Sequence, residues 1–324
     1  MELYFLGTGS GVPSKERNVS SLTLRLLEET GKVWMFDCGE GTQQQILHSP
    51  IKPRRVEKIF ITHLHGDHIY GLPGFLSSRS FQGGTTPLII YGPRGLQEFI
   101  ETSLRISGTH LNYDIDFRLI EDGFFEDSPH FEISAHLLEH GLDSYGYFIK
   151  EKDQHGALQK EKLASMGVAP GPIYQTIKNQ EQTTLEDGRV INRSDVLGPP
   201  KPGRSIAILG DTRFKESHAE WIRGADLLVH EGTFSGKEEE MAYDYYHSTV
   251  TQAALLAKRA GVRTLIINHL SSRYQKSEID LLVEEAEAAF PNTYIAHDHF
   301  HMHVPKNRID VNQQQYAQPG FDEE

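Results

Sequence analysis

The sequence predicts an α/β fold whose chemistry gathers at the carboxyl ends of its strands. Three observations predict it. Short β-branched and aromatic runs such as Ile59-Phe60-Ile61-Thr62 alternate with stretches of helical length. Several of these runs stop at a His or an Asp. A chain of 324 residues is also long enough for one large α/β domain or two smaller ones.

Residues 2–6 and 22–27 alternate in the manner of strands, and between them lies the glycine loop Gly7 to Asn18. The segment after that loop is strand-like rather than helical, which excludes a nucleotide P-loop. Residues 33–37 read as a buried strand that turns at Cys38-Gly39-Glu40-Gly41 into a helix over 43–48. Strand 56–62 then delivers His63-Leu64-His65-Gly66-Asp67-His68. A helix over 72–80, a strand over 88–91 and a helix over 94–106 follow. Three later strands, 131–138, 205–209 and 263–268, stop at Glu139-His140, Gly210-Asp211 and His269. In open or sandwiched α/β sheets ligands collect outside such strand ends, so one edge of the fold should gather all these side chains. A further strand, 227–229, ends at His230-Glu231-Gly232-Thr233. Ser248-Thr249 is a capping signal for a helix over 249–260, and it places His247 beside a helix N-terminus, where it can face an anion.

Two segments depart from this pattern. Residues 152–190 are polar, carry Gly171-Pro172-Ile173-Tyr174 at their centre and lack the apolar periodicity of a core segment, so they should form a functional excursion beside the site. His297, His299, His301 and His303 alternate along a last strand. No carboxylates from other strand ends accompany them, and they read as an edge-strand cluster rather than a second metal site. Residues 313–324 are expected to form a disordered tail.

Three imidazoles and a carboxylate within six positions, at the end of a buried strand, have no packing reason to be there, because each needs a partner out of water. A lone His is usually a satisfied surface or core residue, but this density points to metal. His63 and His65 can approach one ion from one side. After the turn at Gly66, Asp67 and His68 can face a second. Two ions about 3.5–4 Å apart can grip an attacking and a leaving oxygen. With His140, Asp211 and His269 the set has seven nitrogen and oxygen donors, too many for one tetrahedral zinc and suited to a pair bridged by an aspartate.

A formal charge of -13 argues against a general nucleic-acid coat. The charge is uneven, however. Residues 48–58 carry Lys52, Arg54, Arg55 and Lys58 against Glu57 alone, and residues 148–204 carry nine Lys or Arg against seven Asp or Glu, leaving -15 for the rest. An acidic body with locally relieved charge and divalent ions at its centre can accept an anionic substrate. Cys38 is the only cysteine, which excludes an internal disulfide and fits a reducing compartment. No apolar run approaches the ~18 residues needed to span a bilayer, and Met1 to Gly7 reads as a first strand rather than a signal peptide. The cytoplasm is the expected location.

His63-x-His65-x-Asp67-His68, followed by His140, Asp211 and His269, resembles the metallo-β-lactamase superfamily over essentially the whole chain. Narrower motifs are similar to those of the ribonuclease Z family: Phe5-Leu6-Gly7-Thr8-Gly9, the loop Pro13-Ser14-Lys15-Glu16-Arg17-Asn18, Phe36-Asp37-Cys38-Gly39-Glu40-Gly41-Thr42-Gln43, Gly171-Pro172-x-Tyr174 and His230-Glu231-Gly232-Thr233. The family usually has Ala where Gly232 stands, a departure expected to loosen a turn more than alter chemistry.

The resemblance implies an αβ/βα sandwich, two β-sheets flanked by helices, with an inserted flexible arm. It implies two zinc ions per subunit, one held by His63, His65 and His140, the other by Asp67, His68 and His269, with Asp211 bridging. The arm, residues 152–190 with Gly171, Pro172 and Tyr174, would be an exosite for the tRNA elbow, often serving the partner subunit of a homodimer. The implied reaction is metal-dependent hydrolysis of precursor tRNA on the 3′ side of the discriminator nucleotide, leaving a tRNA 3′-hydroxyl and a trailer 5′-phosphate. Asp67 would orient the attacking water, His247 supported by Glu231 would protonate the leaving oxygen, and Arg273 would help stabilise the phosphoryl charge. The metal motif alone also fits a dinuclear hydrolase of thioesters, lactones or cyclic nucleotides. A non-catalytic RNA-binding scaffold would have no use for the full ligand set, and a di-iron redox centre would call for more carboxylates.

Overall fold

Successive residues at the end of the Val56–Phe60 strand face different layers. Phe60 lies in a core shared by two sheets, whereas Ile59 and Ile61 pack on outer helices with Leu72, Phe75 and Ile100. That period of two is what lets a strand be apolar on both sides and still place each side chain uniquely. The computed structural model describes residues 1–304, so the expected tail at 313–324 lies outside the described residues.

Among the described residues there are two seven-stranded sheets. The first runs in the order His301–His303, Glu2–Gly7, Ser21–Leu26, Lys32–Phe36, Val56–Phe60, Leu88–Gly92, Ile115–Leu119. The second runs Thr293–Ile295, Thr264–Asn268, Leu227–Glu231, Ser205–Ile208, Ser144–Glu151, Phe131–Leu138, Phe125–Asp127. Each sheet has four parallel neighbours: Lys32–Phe36 to Ile115–Leu119 in the first, Ser205–Ile208 to Thr293–Ile295 in the second. The sheets meet across Leu3, Phe5, Trp34, Phe60, Tyr147 and Ile208, among others. Helices Leu72–Phe81 and Leu96–Ser107 cover the first sheet, and Val250–Ala260 and Lys276–Ala289 lie outside the second. This is the expected αβ/βα sandwich.

Local chemistry explains the helix ends. Val250–Ala260 begins in a capping box, with Thr249 and Gln252 satisfying each other's backbone N–H, and ends at Gly261 in the left-handed conformation. The helix expected over 94–106 starts at Leu96, because Gly95 stands at φ 101° and cannot belong to the helix.

The excursion after Ser144–Glu151 is less bare than its composition suggests. Leu163, Val168, Ile177, Ile191 and Val196 form a small core of their own, around helices Lys160–Ser165 and Ile173–Asn179 and the hairpin Gln182–Thr184/Val190–Asn192. Backbone pairs Gln154–Lys201 and Leu158–Leu197 close it, so the excursion continues past the expected end at 190 and returns only near Arg204. Five buried apolar residues scattered over more than thirty positions leave no periodic signal, which is why the sequence reads as polar throughout.

The last strand is also shorter than expected. His301–His303 pairs in regular register with the Glu2–Gly7 strand; His297 and His299 precede it, His299 at φ 66° with its N–H on the Phe5 carbonyl and its Nδ1 3.1 Å from Tyr4 Oη.

Candidate metal centre

Strand Val56–Phe60 stops its ladder two residues before the His motif, and His65 is the N-cap of a one-turn helix, Gly66–Ile69. That turn swings Asp67 and His68 away from His63 and His65. Gly39 makes room for it, since a Cβ there would lie 2.2 Å from the Asp67 carbonyl oxygen.

Two donor groups result. In the first, His65 Nδ1 lies 3.0 Å from His63 Nε2 and 3.1 Å from His140 Nε2. In the second, His68 Nε2 and His269 Nε2 are 3.3 Å apart, and Asp67 Oδ2 is 3.5 Å and 3.3 Å from them. One atom, Asp211 Oδ2, belongs to both: it is 3.7 Å from His63 Nε2, 3.4 Å from His68 Nε2 and 3.3 Å from His269 Nε2. Ligands about 2.0–2.1 Å from a tetrahedral ion stand about 3.4 Å from one another, so these spacings fit a pair of ions sharing an aspartate oxygen. The groups His63/His65/His140/Asp211 and Asp67/His68/His269 are among the three sets of described residues able to hold a metal, the third being Asp211/His247/His269.

The electrostatics agree. Burial depresses the basicity of His63, His65 and His140, keeping them in the neutral form that binds metal. Burial opposes charge on His68 too, but Asp211 and Asp37 overcome it and hold its pKa well above normal. Asp67 and Asp211 are held down despite their burial, chiefly by the facing histidines. Buried carboxylates that draw protons onto neighbouring imidazoles are the arrangement a cation would relieve.

An outer ring of hydrogen bonds orients the donors. His68 Nδ1 donates to Asp37 Oδ2 at 2.8 Å, and Thr62 gives Asp37 both its N–H and its hydroxyl. His140 Nδ1 is 2.8 Å from the Tyr246 carbonyl oxygen, and His269 Nδ1 is 3.0 Å from Thr233 Oγ1. Gly11 N–H donates to Asp67 Oδ2 at 2.8 Å. Asp37, Thr233 and Gly11 were not marked as site residues by the sequence. Asp37 could have been, since it follows strand Lys32–Phe36 just as Asp211 follows Ser205–Ile208.

Glu231 is buried and accepts hydrogen bonds from Thr212 N, Thr233 N and Thr233 Oγ1, while its Oε1 lies 2.8 Å from His247 Nδ1. Burial works against a charge on His247, but this carboxylate raises its pKa to about 9. The structure therefore brings His247 and Glu231 to the seven donors. It holds Arg273 one layer further out, paired with Glu238 at 2.8 Å and over Phe234, whose ring centre is 6.1 Å from that of His247. Gly171, Pro172 and Tyr174 belong to the excursion: the first two are exposed, and Tyr174 Oη donates to the Val168 carbonyl within the small core.

A two-sheet sandwich with such a centre at one rim defines a metal-dependent hydrolase of the metallo-β-lactamase fold. The family model described as beta-lactamase superfamily domain matches residues 179–270, and one described as anti-Pycsar protein Apyc1 matches residues 1–140. The chain is 58% identical over 298 residues to ribonuclease Z of Anoxybacillus flavithermus, covering 92% of this chain and 96% of that one. It is 52% identical over 306 residues to ribonuclease Z of Bacillus subtilis, covering 94% and 100%. Among solved structures it is similar to the human tRNase Z short form, at 29% identity and a TM-score of 0.67 over 94% of this chain and 100% of that one. The chain belongs to the ribonuclease Z family, and it is an endoribonuclease.

Proposed function

We propose that the chain hydrolyses precursor tRNA on the 3′ side of the discriminator nucleotide, leaving a 3′-hydroxyl on the tRNA and a 5′-phosphate on the trailer, with two zinc ions per subunit. The observation that carries this is the shared Asp211 Oδ2 between two groups of His-rich donors, in a chain of this family. Donors of nitrogen and oxygen at tetrahedral spacing suit zinc. His63, His65 and His140 would hold one ion, Asp67, His68 and His269 the other, and Asp211 both. When bound, the pair supplies Lewis acidity toward the phosphoryl oxygens and lowers the pKa of water.

The chain's own groups do the rest. Asp67, steadied by Gly11 N–H, orients the attacking water and accepts its proton as the water oxygen bonds to phosphorus. The bond from phosphorus to the 3′-oxygen breaks, and that oxygen takes a proton from His247. With Nδ1 committed to Glu231, Nε2 is the ring nitrogen left to give it. Arg273 would exchange Glu238 for substrate phosphate at the rim. The arm would grip the folded tRNA elbow through phosphates and sugars, with Lys160, Lys162 and Lys178 exposed on it beside Gly171, Pro172 and Tyr174. We place the enzyme in the cytoplasm as a homodimer; among the described residues no helix is long and apolar enough to cross a membrane.

The test is incubation of the purified protein with end-labelled precursor tRNA, with and without chelator, mapping the cut and its termini. A chelator-sensitive cut after the discriminator with a 5′-phosphorylated trailer is expected. Cleavage elsewhere, or insensitivity to chelation, overturns the reading.

A further inference from the structure

The loop of residues 7–18 meets the centre on one side only. Gly11 N–H donates to Asp67 Oδ2 at 2.8 Å. The Thr8 carbonyl accepts from Leu270 N at 3.0 Å, and Gly9 and Ser10 pair in parallel with Leu270 and Ser271, directly after His269. One loop thus supports two of the three residues in the Asp67/His68/His269 group. Among the described residues, none of its hydrogen bonds goes to His63, His65 or His140.

Behind the loop, whose ends are joined by the Thr8 and Gly9 N–H bonds to the Asn18 carbonyl, stands one carboxylate. Asp298, in the turn after strand Thr293–Ile295, accepts the Thr8 hydroxyl on Oδ1 at 2.7 Å and the Asn18 N–H on Oδ2 at 2.7 Å. The two residues so joined lie at opposite ends of the loop. Buried Arg17 completes the tie, donating to Thr8 Oγ1 at 2.7 Å and to the Ala296 carbonyl at 2.6 Å. Asp298 touches no metal donor itself; it closes a loop whose tip does.

We propose that Asp298 is a positioning residue for the Asp67/His68/His269 half of the centre, acting through Thr8 and Asn18 on the loop that carries Gly11. This rests on the reading that the centre holds two ions. Without the carboxylate the loop keeps the Thr8 and Gly9 N–H bonds to the Asn18 carbonyl but loses its tie to the turn after Thr293–Ile295. Gly11 is then held less firmly on Asp67, and Gly9-Ser10 less firmly on the segment after His269. Partners beyond the metal ligands typically change affinity by about 10–100-fold, and here the loss falls on one half only.

The experiment measures metal affinity of the full-length protein by competition with a chromophoric chelator, for zinc and for cobalt. The wild type should hold about two ions per chain, and Asp298→Ala should keep one at wild-type affinity and bind the other about 10–100-fold more weakly. In a His269→Ala background, where the second half is already lost, Asp298→Ala should change nothing. Asp298→Asn, which keeps a carbonyl for the Thr8 hydroxyl, should recover part of the loss. Thr8→Val removes the hydroxyl that joins Asp298 and Arg17 with little change of shape and should reproduce an equally selective weakening, which decides the matter if Asp298→Ala does not fold. A wild type without a pair of ions would overturn the reading of the centre. A wild type with two ions, and variants that hold both as tightly or lose both equally, would overturn the role of Asp298.

Discussion

Asp37 Oδ2 lies 2.8 Å from His68 Nδ1, on the side of the ring opposite Asp211. The imidazole is therefore held between two carboxylates, one positioned to orient it and one positioned to share its ion. Asp37 reaches this place at φ 56°, a left-handed conformation that aspartate tolerates better than most residues. A carboxylate behind a ligating histidine fixes its tautomer and raises its strength as a ligand.

Asp37→Asn keeps the shape and removes the charge. We expect about a 10–100-fold loss of metal affinity or of kcat on precursor tRNA, with the fold retained. Metal content after dialysis against graded chelator checks the first, and steady-state kinetics at saturating zinc the second. Unchanged values in both would show that Thr62 suffices to hold His68.

The seven donors were legible because each follows a run too apolar to end in a charged group by accident. The same rule marks Asp37 as readily as Asp211, but a strand end cannot say whether a carboxylate points at an ion or at the back of a ligand. Thr233 and Gly11 act through a hydroxyl and a backbone N–H, which no residue pattern distinguishes from ordinary turn chemistry. Arg17 stands in the loop motif Pro13 to Asn18, yet its guanidinium is buried on Thr8 and Ala296. The arm's core escaped notice because Leu163, Ile177 and Val196 are brought together by the tertiary fold rather than by helical or strand spacing.

Stability should fall with acid through Glu29. Burial of this side chain favours its neutral form, but Arg204 Nη2 at 2.6 Å and the Met1 amino group hold its pKa down at about 2. A folded-state pKa below the unfolded value means that the stabilisation is complete above the unfolded pKa of about 4.5 and is lost as pH falls toward 2. The shift corresponds to about 3 kcal/mol as an upper bound, which solvent screening reduces. Arg204 also binds Glu151 and the Val304 carbonyl, so Glu29→Gln leaves the guanidinium partly paired. Urea unfolding of wild type and Glu29→Gln should show a stability gap that is flat above about pH 5 and narrows from there toward about pH 2. A gap that stays constant would exclude Glu29 as the titrating group.

Restoring the alanine usual in the family at position 232 should not stabilise this chain. A Cβ there would lie 2.5 Å from Ile267 Cγ2 and 3.0 Å from Val250 Cγ1, a branched methyl on each neighbouring element. Overpacking of this kind costs about 1–3 kcal/mol. The displaced turn carries Thr233, which binds both Glu231 and His269, so kcat should fall as well. Thermal unfolding and kinetics of Gly232→Ala check the two effects, and a higher melting temperature would mean that Ile267 gives way without cost.

Excising the arm should separate binding from chemistry. Glu151 N–H donates to the Arg204 carbonyl at 2.7 Å, so the chain leaves and re-enters the second sheet at one point. The intervening core is the arm's own, made of Leu163, Val168, Ile177, Ile191 and Val196, and its loss uncovers little of the core between the sheets. Replacing residues 153–202 by a short Gly-Ser link should therefore leave the seven donors in place and hydrolysis of bis(p-nitrophenyl) phosphate near the wild-type rate. Precursor tRNA cleavage should fall by at least about tenfold, equivalent to ~1.4 kcal/mol of lost binding, with the loss in KM rather than kcat. Equal losses on both substrates would assign the arm to the stability of the sandwich instead.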